Sequence, residues 1–361
     1  MKDLKKIKAQ DIEFMRLALQ LAEKGRGAVS PNPMVGCVVV KNGKILATGY
    51  HKKIGGPHAE INALKKLKDK AKGATIYVTL EPCHHFGKTP PCVDALLRAG
   101  VKRVVIAMPD PNPLTAGQSI RKLKKMGVQL TVGVCRKEAA TLNRGFIKFI
   151  RTGLPYVIVK VAQSQDGKIA ARKGLRTQIT GLESQNYVQA LRQTVDAILV
   201  GRKTIVIDDP LLTVRDQTLP QPARVVLDSQ LRTPFQSKLF KSNGGKVIVC
   251  TSQNVDPQKI KRYRDKKIQV LLCQTNKSGG LRWKDVFQKL ANESGVLSIL
   301  VEGGGEVLQS LSQTQHIDEW HLLTAPQNLG EKGVSLKAKP PLYLKPKRKM
   351  NFKKDVLLVF R

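Results

Sequence analysis

The sequence predicts an α/β protein of two layered domains. Three observations predict it: a chain of 361 residues, short apolar runs alternating with helix-patterned ones, and a Gly/Pro break at residues 151–156 (RTGLPY). At roughly 100–200 residues per domain the length divides into two, and each half is long enough to bury a core. The break sets the expected domains at residues 1–151 and 152–361.

In the first half, residues 11–24 carry Ile12, Met15, Leu19 and Ala22 on one helical face, and Gly25 follows as a stop. Residues 35–40 (VGCVVV) read as a buried strand, Asn42-Gly43 as a hairpin turn, and 44–50 as the return strand. A helix is expected over 57–70, then strand 74–80, helix 91–99, strand 101–108, helix 119–126 and strand 128–134. The order αββαβαβαβ is that of a layered α/β domain. The second half is again α/β: strand 156–162, helix 182–193, strands 195–201, 223–228 and 246–251, helix 283–293, strand 297–302, helix 305–313 and strand 355–360. No internal repeat is visible, and the Lys/Pro-rich stretch 336–354 fits neither period.

The hydrophobic share of 41% and charged share of 25% are those of an ordinary globular protein. The charge balance is not: 63 Lys and Arg stand against 27 Asp and Glu, a formal net charge of +36. Such a surface either serves solubility or follows overall composition alone, the reading favoured here, or favours anions: nucleic acid, anionic lipid or phosphorylated metabolites. The lysines run along the whole chain, densest from Lys345 to Lys354, and form no single arm, which argues against nucleic acid as the partner. The N-terminal MKDLKKIKAQ is followed by no apolar core, so no signal peptide is expected. No apolar window reaches about 18 residues, so no membrane span is expected either. In the cytoplasmic protein these features predict, cysteines at 37, 83, 92, 135, 250 and 273 point to metal or catalysis before disulfides.

The chemical signal lies in Pro57-His58-Ala59-Glu60 and in Glu81-Pro82-Cys83 through Pro91-Cys92. One imidazole and two thiolates, from His58, Cys83 and Cys92, suit zinc and leave a fourth position for water. His58 and Cys92 each open a helix pattern, where the positive end of the helix dipole favours a thiolate. Glu60, two residues past His58, is placed to act on the water as a base and then as an acid. His-Ala-Glu alone is a weak signal; joined to Pro-Cys and a second Cys at a helix start it is a strong one. The competing reading is a closed structural zinc site, with His84 or His85 as the fourth ligand.

At this point the chain resembles a known family, the bifunctional deaminase/reductase of riboflavin biosynthesis. In nucleoside and tRNA deaminases two residues separate the cysteines; here eight do, His84 to Pro91, and the run from His85 (HFGKTPPC) is similar to the riboflavin enzyme. So are Pro31-Asn32-Pro33-Met34-Val35-Gly36, Gly49-Tyr50-His51 and Asp110-Pro111-Asn112-Pro113. The resemblance implies a cytidine-deaminase-like three-layer domain followed by a dihydrofolate-reductase-like α/β domain. It implies zinc and NADPH as cofactors and a homo-oligomer. The implied substrate is 2,5-diamino-6-ribosylamino-4(3H)-pyrimidinone 5′-phosphate, deaminated and then reduced from ribose to ribityl. Asn32, His51, His85 and Lys88 are implied to hold the pyrimidine and ribose phosphate.

The second half carries the pattern in Ser164, Asp166, Gly167 and Lys168, in Gly201-Arg202-Lys203-Thr204, in Asp208 through Arg215, in Leu227-Asp228-Ser229 and in Val301 through Gly305. Glycines at a strand-to-helix turn let backbone N–H groups cradle a phosphate. By resemblance, Lys160, Arg176, Leu212, Arg215 and Glu302 contact substrate. Ala162, Gln178, Thr204, Asp208, Ser229, Gly303, Gly304 and Gly305 are implied to contact NADPH. On their charge alone, Lys160, Asp208 and Glu302 suit solvated or salt-bridged roles equally well. Gln178 stands where the family usually has Trp, and Arg176 where it has Ser. Two alternatives follow: an active deaminase joined to an impaired reductase, and a zinc deaminase acting on nucleic acid. The eight-residue spacer and the whole second half argue against the latter.

Overall fold

The structure, a computed structural model, describes residues 8–86 and 90–361, without the side chains of Lys68 and Asp69. The chain forms two compact units, Met1–Gly153 and Leu154–Arg361.

The first unit runs α1 (Ala9–Glu23), β1 (Gly36–Lys41), β2 (Lys44–Tyr50), α2 (Ala59–Leu64), a 3₁₀ turn (Lys68–Ala71), β3 (Thr75–Val78), α3 (Cys92–Arg98), β4 (Arg103–Ile106), α4 (Gln118–Lys125), β5 (Gln129–Val132), α5 (Arg136–Leu142) and α6 (Arg144–Thr152). Its sheet has the order β2-β1-β3-β4-β5. β1 pairs antiparallel with β2 and β3, and β3, β4 and β5 run parallel. Successive strand residues point to opposite faces. Val38, Val40, Tyr77 and Val105 therefore meet Phe14, Met15 and Ala18 of α1. Cys37, Val39, Ile76 and Val104 meet Ala59 and Ala63 of α2, Leu96 of α3 and Leu123 of α4. Covered on both faces, the central strands read in sequence as unbroken apolar runs.

Two details fix this unit. The buried Asp11 carboxylate accepts two hydrogen bonds from Arg103, at 2.9 and 2.8 Å, and one from the Tyr77 hydroxyl at 2.9 Å, tying α1 to β3 and β4. Gly49 of β2 lets α2 lie on the sheet: a Cβ there would stand 2.3 Å from the Ala59 carbonyl oxygen and 2.5 Å from the Ala63 nitrogen. The helix expected over 57–70 is shorter in the structure. After Leu64 the bonds tighten to i→i+3, Lys66 N–H to Ala63 and Leu67 N–H to Leu64, and the chain passes into the 3₁₀ turn.

The second unit runs β6 (Tyr156–Gln163), β7 (Lys168–Ala170), α7 (Leu182–Arg192), β8 (Ala197–Gly201), α8 (Arg202–Asp208), β9 (Ala223–Leu227), α9 (Lys238–Lys241), β10 (Val247–Ser252), α10 (Pro257–Asp265), β11 (Gln269–Cys273), α11 (Trp283–Ser294), β12 (Ser298–Val301), α12 (Gly305–Ser312), β13 (Glu319–Thr324), β14 (Val334–Ser335), β15 (Pro346–Phe352) and β16 (Asp355–Phe360). Nine strands form one sheet in the order β11-β10-β9-β8-β12-β6-β13-β16-β15, parallel from β11 to β13 and antiparallel over the last two. Val157, Val159, Leu199 and Ile299 pack on one face with Phe287 and Leu290 of α11 and Leu308 of α12. On the other face Ile198, Val200 and Val226 meet Ile260 and Tyr263 of α10, and Ile158 and Leu300 meet Leu191 of α7.

Three strands of this sheet stand outside the sequence-based expectation: β11, whose apolar run QVLLC is largely buried, β13 and β15. β13 is broken as a hydrophobic run by Glu319 and His321, yet both are buried and pair with each other at 2.7 Å. The hydroxyls of Tyr156 and Tyr187 complete that network. β15 holds the Lys-rich segment that fits neither period. As the outer strand it exposes Lys347, Arg348 and Lys349 together, so no two-residue alternation is imposed on it. Charged side chains on an edge also discourage pairing with another chain.

Candidate functional site

In the first unit, the ends of β2 and β3 and the starts of α2 and α3 converge. His58 is the N-cap of α2 and Cys92 the first residue of α3, while Cys83 lies on the loop after β3. His58 Nδ1 stands 3.2 Å from Cys92 Sγ and 3.5 Å from Cys83 Sγ. One ligand atom from each of the three lies within 4.8 Å of the others. Neither His84 nor His85 joins that cluster among the described residues, so the closed four-ligand reading finds no support there. The donor set, one imidazole nitrogen and two thiols with room for a fourth ligand, fits a catalytic zinc.

The electrostatics suit a deprotonated Cys83 sulfur, with the Cys92 thiol beside it pushed up by Cys83 and by burial, and a proton-carrying carboxylate. The Cys92 side chain, then His58 and the Cys92 backbone N–H at 3.2 Å, hold the Cys83 thiol well below the usual range against the cost of burial. Glu60, in the first turn of α2, is 3% exposed. Burial pushes its carboxyl up to about 7, with its own backbone N–H pulling the other way. A group poised there accepts and returns protons near neutral pH.

Beside this centre His51 is buried, its ring edge-on to His58 at 5.5 Å between centroids. The Asn32 amide N–H donates to His51 Nε2 at 3.3 Å, which leaves the proton on Nδ1, 3.2 Å from the Pro57 carbonyl oxygen. Burial first, and then the neighbouring His58, lower the His51 pKa and keep the ring neutral. The structure thus brings Asn32, His51, His58, Glu60, Cys83 and Cys92 together. His85 is exposed on the following loop, and Lys88 lies outside the described residues.

In the second unit a cleft of about 1000 Å³ opens at the carboxyl ends of β8, β9 and β12, where open parallel sheets bind ligands. Of the residues singled out in sequence, Lys160, Arg176, Thr204, Asp208, Leu212, Ser229, Glu302, Gly304 and Gly305 line it. Ala162, Gln178, Arg215 and Gly303 are not among its lining residues. Arg215 turns instead to the Asn186 and Gln185 side chains at 3.2 Å each. A Cβ on Gly303 would stand 2.6 Å from Val307, so glycine there allows the turn into α12 to pack closely.

Glu302 and Lys160 are salt-bridged. The Glu302 carboxylate takes a two-pronged pair from Arg192, at 2.7 and 3.0 Å, and Lys160 Nζ stands 3.4 Å away. Burial pushes Glu302 up, but these two cations outweigh it and hold its carboxyl down at about 2. Asp208 is shifted the other way: burial raises it, with Arg176 and Lys160 opposing. The Asp228 carboxylate accepts the backbone N–H groups of Arg232 and Thr233 and the Thr233 hydroxyl, 2.7 Å each, and so fixes the turn bearing Ser229. Nine Lys and Arg line the cleft against four Asp and Glu, an excess of five positive charges suited to phosphates.

Two residues of these sites, Arg192 and Asn143, carry no sequence signal, and Glu81 enters the sequence only as the first residue of the Glu81-Pro82-Cys83 motif. Arg192 ends α7 and reads as a routine last-turn cation, yet it reaches the cleft floor. Asn143, buried between α5 and α6, clamps Met34 through both its backbone N–H and carbonyl, and so steadies the loop bearing Asn32. Glu81, two residues before Cys83, is buried.

Comparison with known proteins matches each half of the chain to a known domain. The profile of the cytidine and deoxycytidylate deaminase zinc-binding region matches residues 8–108, and that of the RibD C-terminal domain matches residues 155–358. The riboflavin biosynthesis protein RibD of Aquifex aeolicus is 41% identical over 98% of this chain and 99% of its own. That of Escherichia coli is 40% identical over 92% of each. Acinetobacter baumannii RibD superposes with a TM-score of 0.82 at 37% identity, over 97% of this chain and 98% of its own. A deaminase/reductase of Thermotoga maritima does so at 0.82 and 33% identity, over 98% of each chain. The described residues contain no helix long and apolar enough to cross a membrane. The chain belongs to the RibD family, the enzymes of riboflavin biosynthesis that join a zinc-dependent deaminase to an NADPH-dependent reductase.

Proposed function

We propose that the centre of His58, Cys83, Cys92 and Glu60 performs the deamination, and that the cleft of the second unit performs the reduction. The substrate of this reading is 2,5-diamino-6-ribosylamino-4(3H)-pyrimidinone 5′-phosphate. The observation that carries it is the buried Glu60 carboxylate beside three converging ligand atoms. His58 Nδ1 and the two sulfurs would hold zinc, which would supply a Lewis acid that brings a water molecule's pKa near neutrality. Glu60 takes a proton from that water on a carboxylate oxygen and delivers it to the ring nitrogen. As the water oxygen bonds to the amino-bearing ring carbon, the same carboxyl takes the proton of the new hydroxyl and passes it to the amino group, whose C–N bond breaks to release ammonia. Asn32 and neutral His51 orient the ring, and His85 and Lys88 take the phosphate.

In the cleft, bound NADPH would supply the hydride. Lys160, held on Glu302, and Asp208 orient the opened sugar, with Arg176 and Leu212 beside it. Thr204, Ser229, Gly304 and Gly305 hold the cofactor. Arg192 joins this set through its two-pronged bond to Glu302. Residues 1–151 then form the deaminase domain and 152–361 the reductase, in a cytoplasmic homo-oligomer whose assembly sedimentation velocity measures.

The test follows products by mass spectrometry, with and without NADPH. Deamination adds about one mass unit and reduction about two more. Glu60→Gln is expected to slow the first step by roughly 10²–10⁴-fold and to leave reduction of the deaminated intermediate intact. Wild-type deamination by Glu60→Gln would remove Glu60 from the mechanism.

A further inference from the structure

The motif Asp110-Pro111-Asn112-Pro113 is given no part in the chemistry above, and its placement explains a buried carboxylate beside the zinc ligands. Glu81 follows β3, Asp110 follows β4, and these strands are parallel neighbours. The Glu81 side chain is 5% exposed and is met by four backbone N–H groups. Its Oε2 accepts from Asp110 at 3.1 Å and from Gly117 at 2.9 Å. Its Oε1 accepts from Ser119 at 3.1 Å and from Ile120 at 3.4 Å. One carboxylate thus closes both ends of the 110–117 loop and the first turn of α4.

The loop is braced within itself as well. The Asn112 N–H donates to Asp110 Oδ1 at 2.8 Å, and the Leu114 N–H to Asn112 Oδ1 at 3.0 Å. A second tie runs back to the metal-binding strand end: the Ser119 hydroxyl donates to the Pro82 carbonyl oxygen at 2.5 Å. Pro82 is followed by Cys83, whose carbonyl oxygen accepts the Val93 N–H at 3.2 Å and whose Sγ accepts the Cys92 N–H at 3.2 Å. Each of these bonds restricts the path that carries the Cys83 sulfur.

We propose that Glu81 is a positioning residue of the deaminase centre: by gathering four N–H groups of the 110–120 segment it fixes the Pro82-Cys83 turn, and with it the geometry in which Cys83 and Cys92 hold zinc. The inference rests on the deaminase reading above. A buried carboxylate that only filled space would be replaceable by its isostere. A positioning carboxylate would not, because Glu81→Gln turns one acceptor oxygen into an NH₂ donor aimed at two of the N–H groups. Partners behind metal ligands typically contribute 10–100-fold to metal affinity.

The experiment measures the zinc dissociation constant of the full-length protein by competition with a chromogenic chelator. It pairs this with the deaminase kcat at saturating zinc and the reductase rate on the deaminated intermediate. Glu81→Gln and Glu81→Ala are both expected to weaken zinc binding by roughly 10–100-fold and to lower the deaminase kcat, with the reductase rate unchanged. Ser119→Ala, which keeps all four Glu81 bonds, is expected to weaken zinc binding by a smaller factor. Wild-type zinc affinity in Glu81→Gln overturns the proposal. If the Glu81 variants lose the reductase as well, Ser119→Ala decides, and unchanged zinc affinity there overturns it. If the wild-type protein itself binds no zinc, the deaminase reading falls and this inference with it.

Discussion

Glu302→Gln tests the electrostatics of the reductase cleft in one substitution. The side chain keeps its shape and loses its charge, while Arg192 and Lys160 stay cationic around it. The Glu302 side chain is 8% exposed and those of Arg192 and Lys160 are 15% and 18% exposed, so solvent screens the cluster weakly. Its carboxyl is held at about 2, against 4.5 for the free group. The sign follows from the direction: a lowered folded pKa gives stability that is full above the unfolded value and is lost as pH falls through the folded one. At about 1.4 kcal/mol per pKa unit, the ionised carboxylate contributes on the order of 3 kcal/mol at pH 7. Near pH 3 this falls to roughly 1.4 kcal/mol, and below about 2 it vanishes.

The assay is urea unfolding followed by tryptophan fluorescence. Both tryptophans of the chain, Trp283 and Trp320, lie in the second unit, so the signal reports that unit alone. Wild type is expected to exceed Glu302→Gln by about 3 kcal/mol at pH 7 and by about half of that near pH 3. A difference that stays constant from pH 7 to pH 3 would refute the reasoning, because it would show that the charge of Glu302 contributes nothing.

Other perturbations address other joints. Gly49→Ala sets a methyl 2.3 Å from the Ala59 carbonyl oxygen. It should destabilise the first unit by about 1–3 kcal/mol and, by displacing α2 and its Glu60, slow deamination about 100-fold, with the reductase rate as internal control. Asp11→Asn breaks a buried pair with Arg103 and should cost the first unit about 3 kcal/mol in chemical denaturation. A loss under about 0.5 kcal/mol would mean the pair is structurally idle. Arg176→Ser removes a cleft cation and should raise the KM for substrate or NADPH about threefold to tenfold at low salt, an effect that shrinks as salt rises. If neither KM moves, Arg176 has no ligand in reach.

Sequence made most of the layered architecture legible because both sheets have central strands buried on two faces. Runs such as Cys37 to Val40 and Ile198 to Val200 are apolar without interruption for that reason. Besides short elements without a sequence-based expectation, such as α5, α6, α10 and β11, sequence did not show two strands whose burial is won by polar pairing or not needed. β13 hides Glu319 and His321 in a network to which Tyr156 of β6, Tyr187 of α7 and Arg361 contribute. β15 is an exposed edge, where neither face demands an apolar residue. Hydrophobic period marks strands that face a core and is silent on these two.

The two sites differ in legibility for a related reason. The candidate deaminase centre draws its groups from two short contiguous stretches: His58 and Cys92 stand where helices begin, Glu60 follows His58 within a turn, and Cys83 lies on the loop nine residues before Cys92. Residue type and spacing are then constrained together, and a motif results. The reductase cleft is assembled from the ends of β8, β9 and β12, the second half of β6 and the far end of α7. Each contributes one or two side chains whose types are common anywhere. Arg192 illustrates the limit. In sequence it is a last-turn cation favoured by the helix dipole, and nothing local separates it from Arg98, which ends α3. Only the parallel order that brings β12 beside β6 and β8 sets Glu302 where Arg192 can reach it. A site read from topology is therefore where a single substitution test, such as Glu302→Gln, adds more than further sequence does.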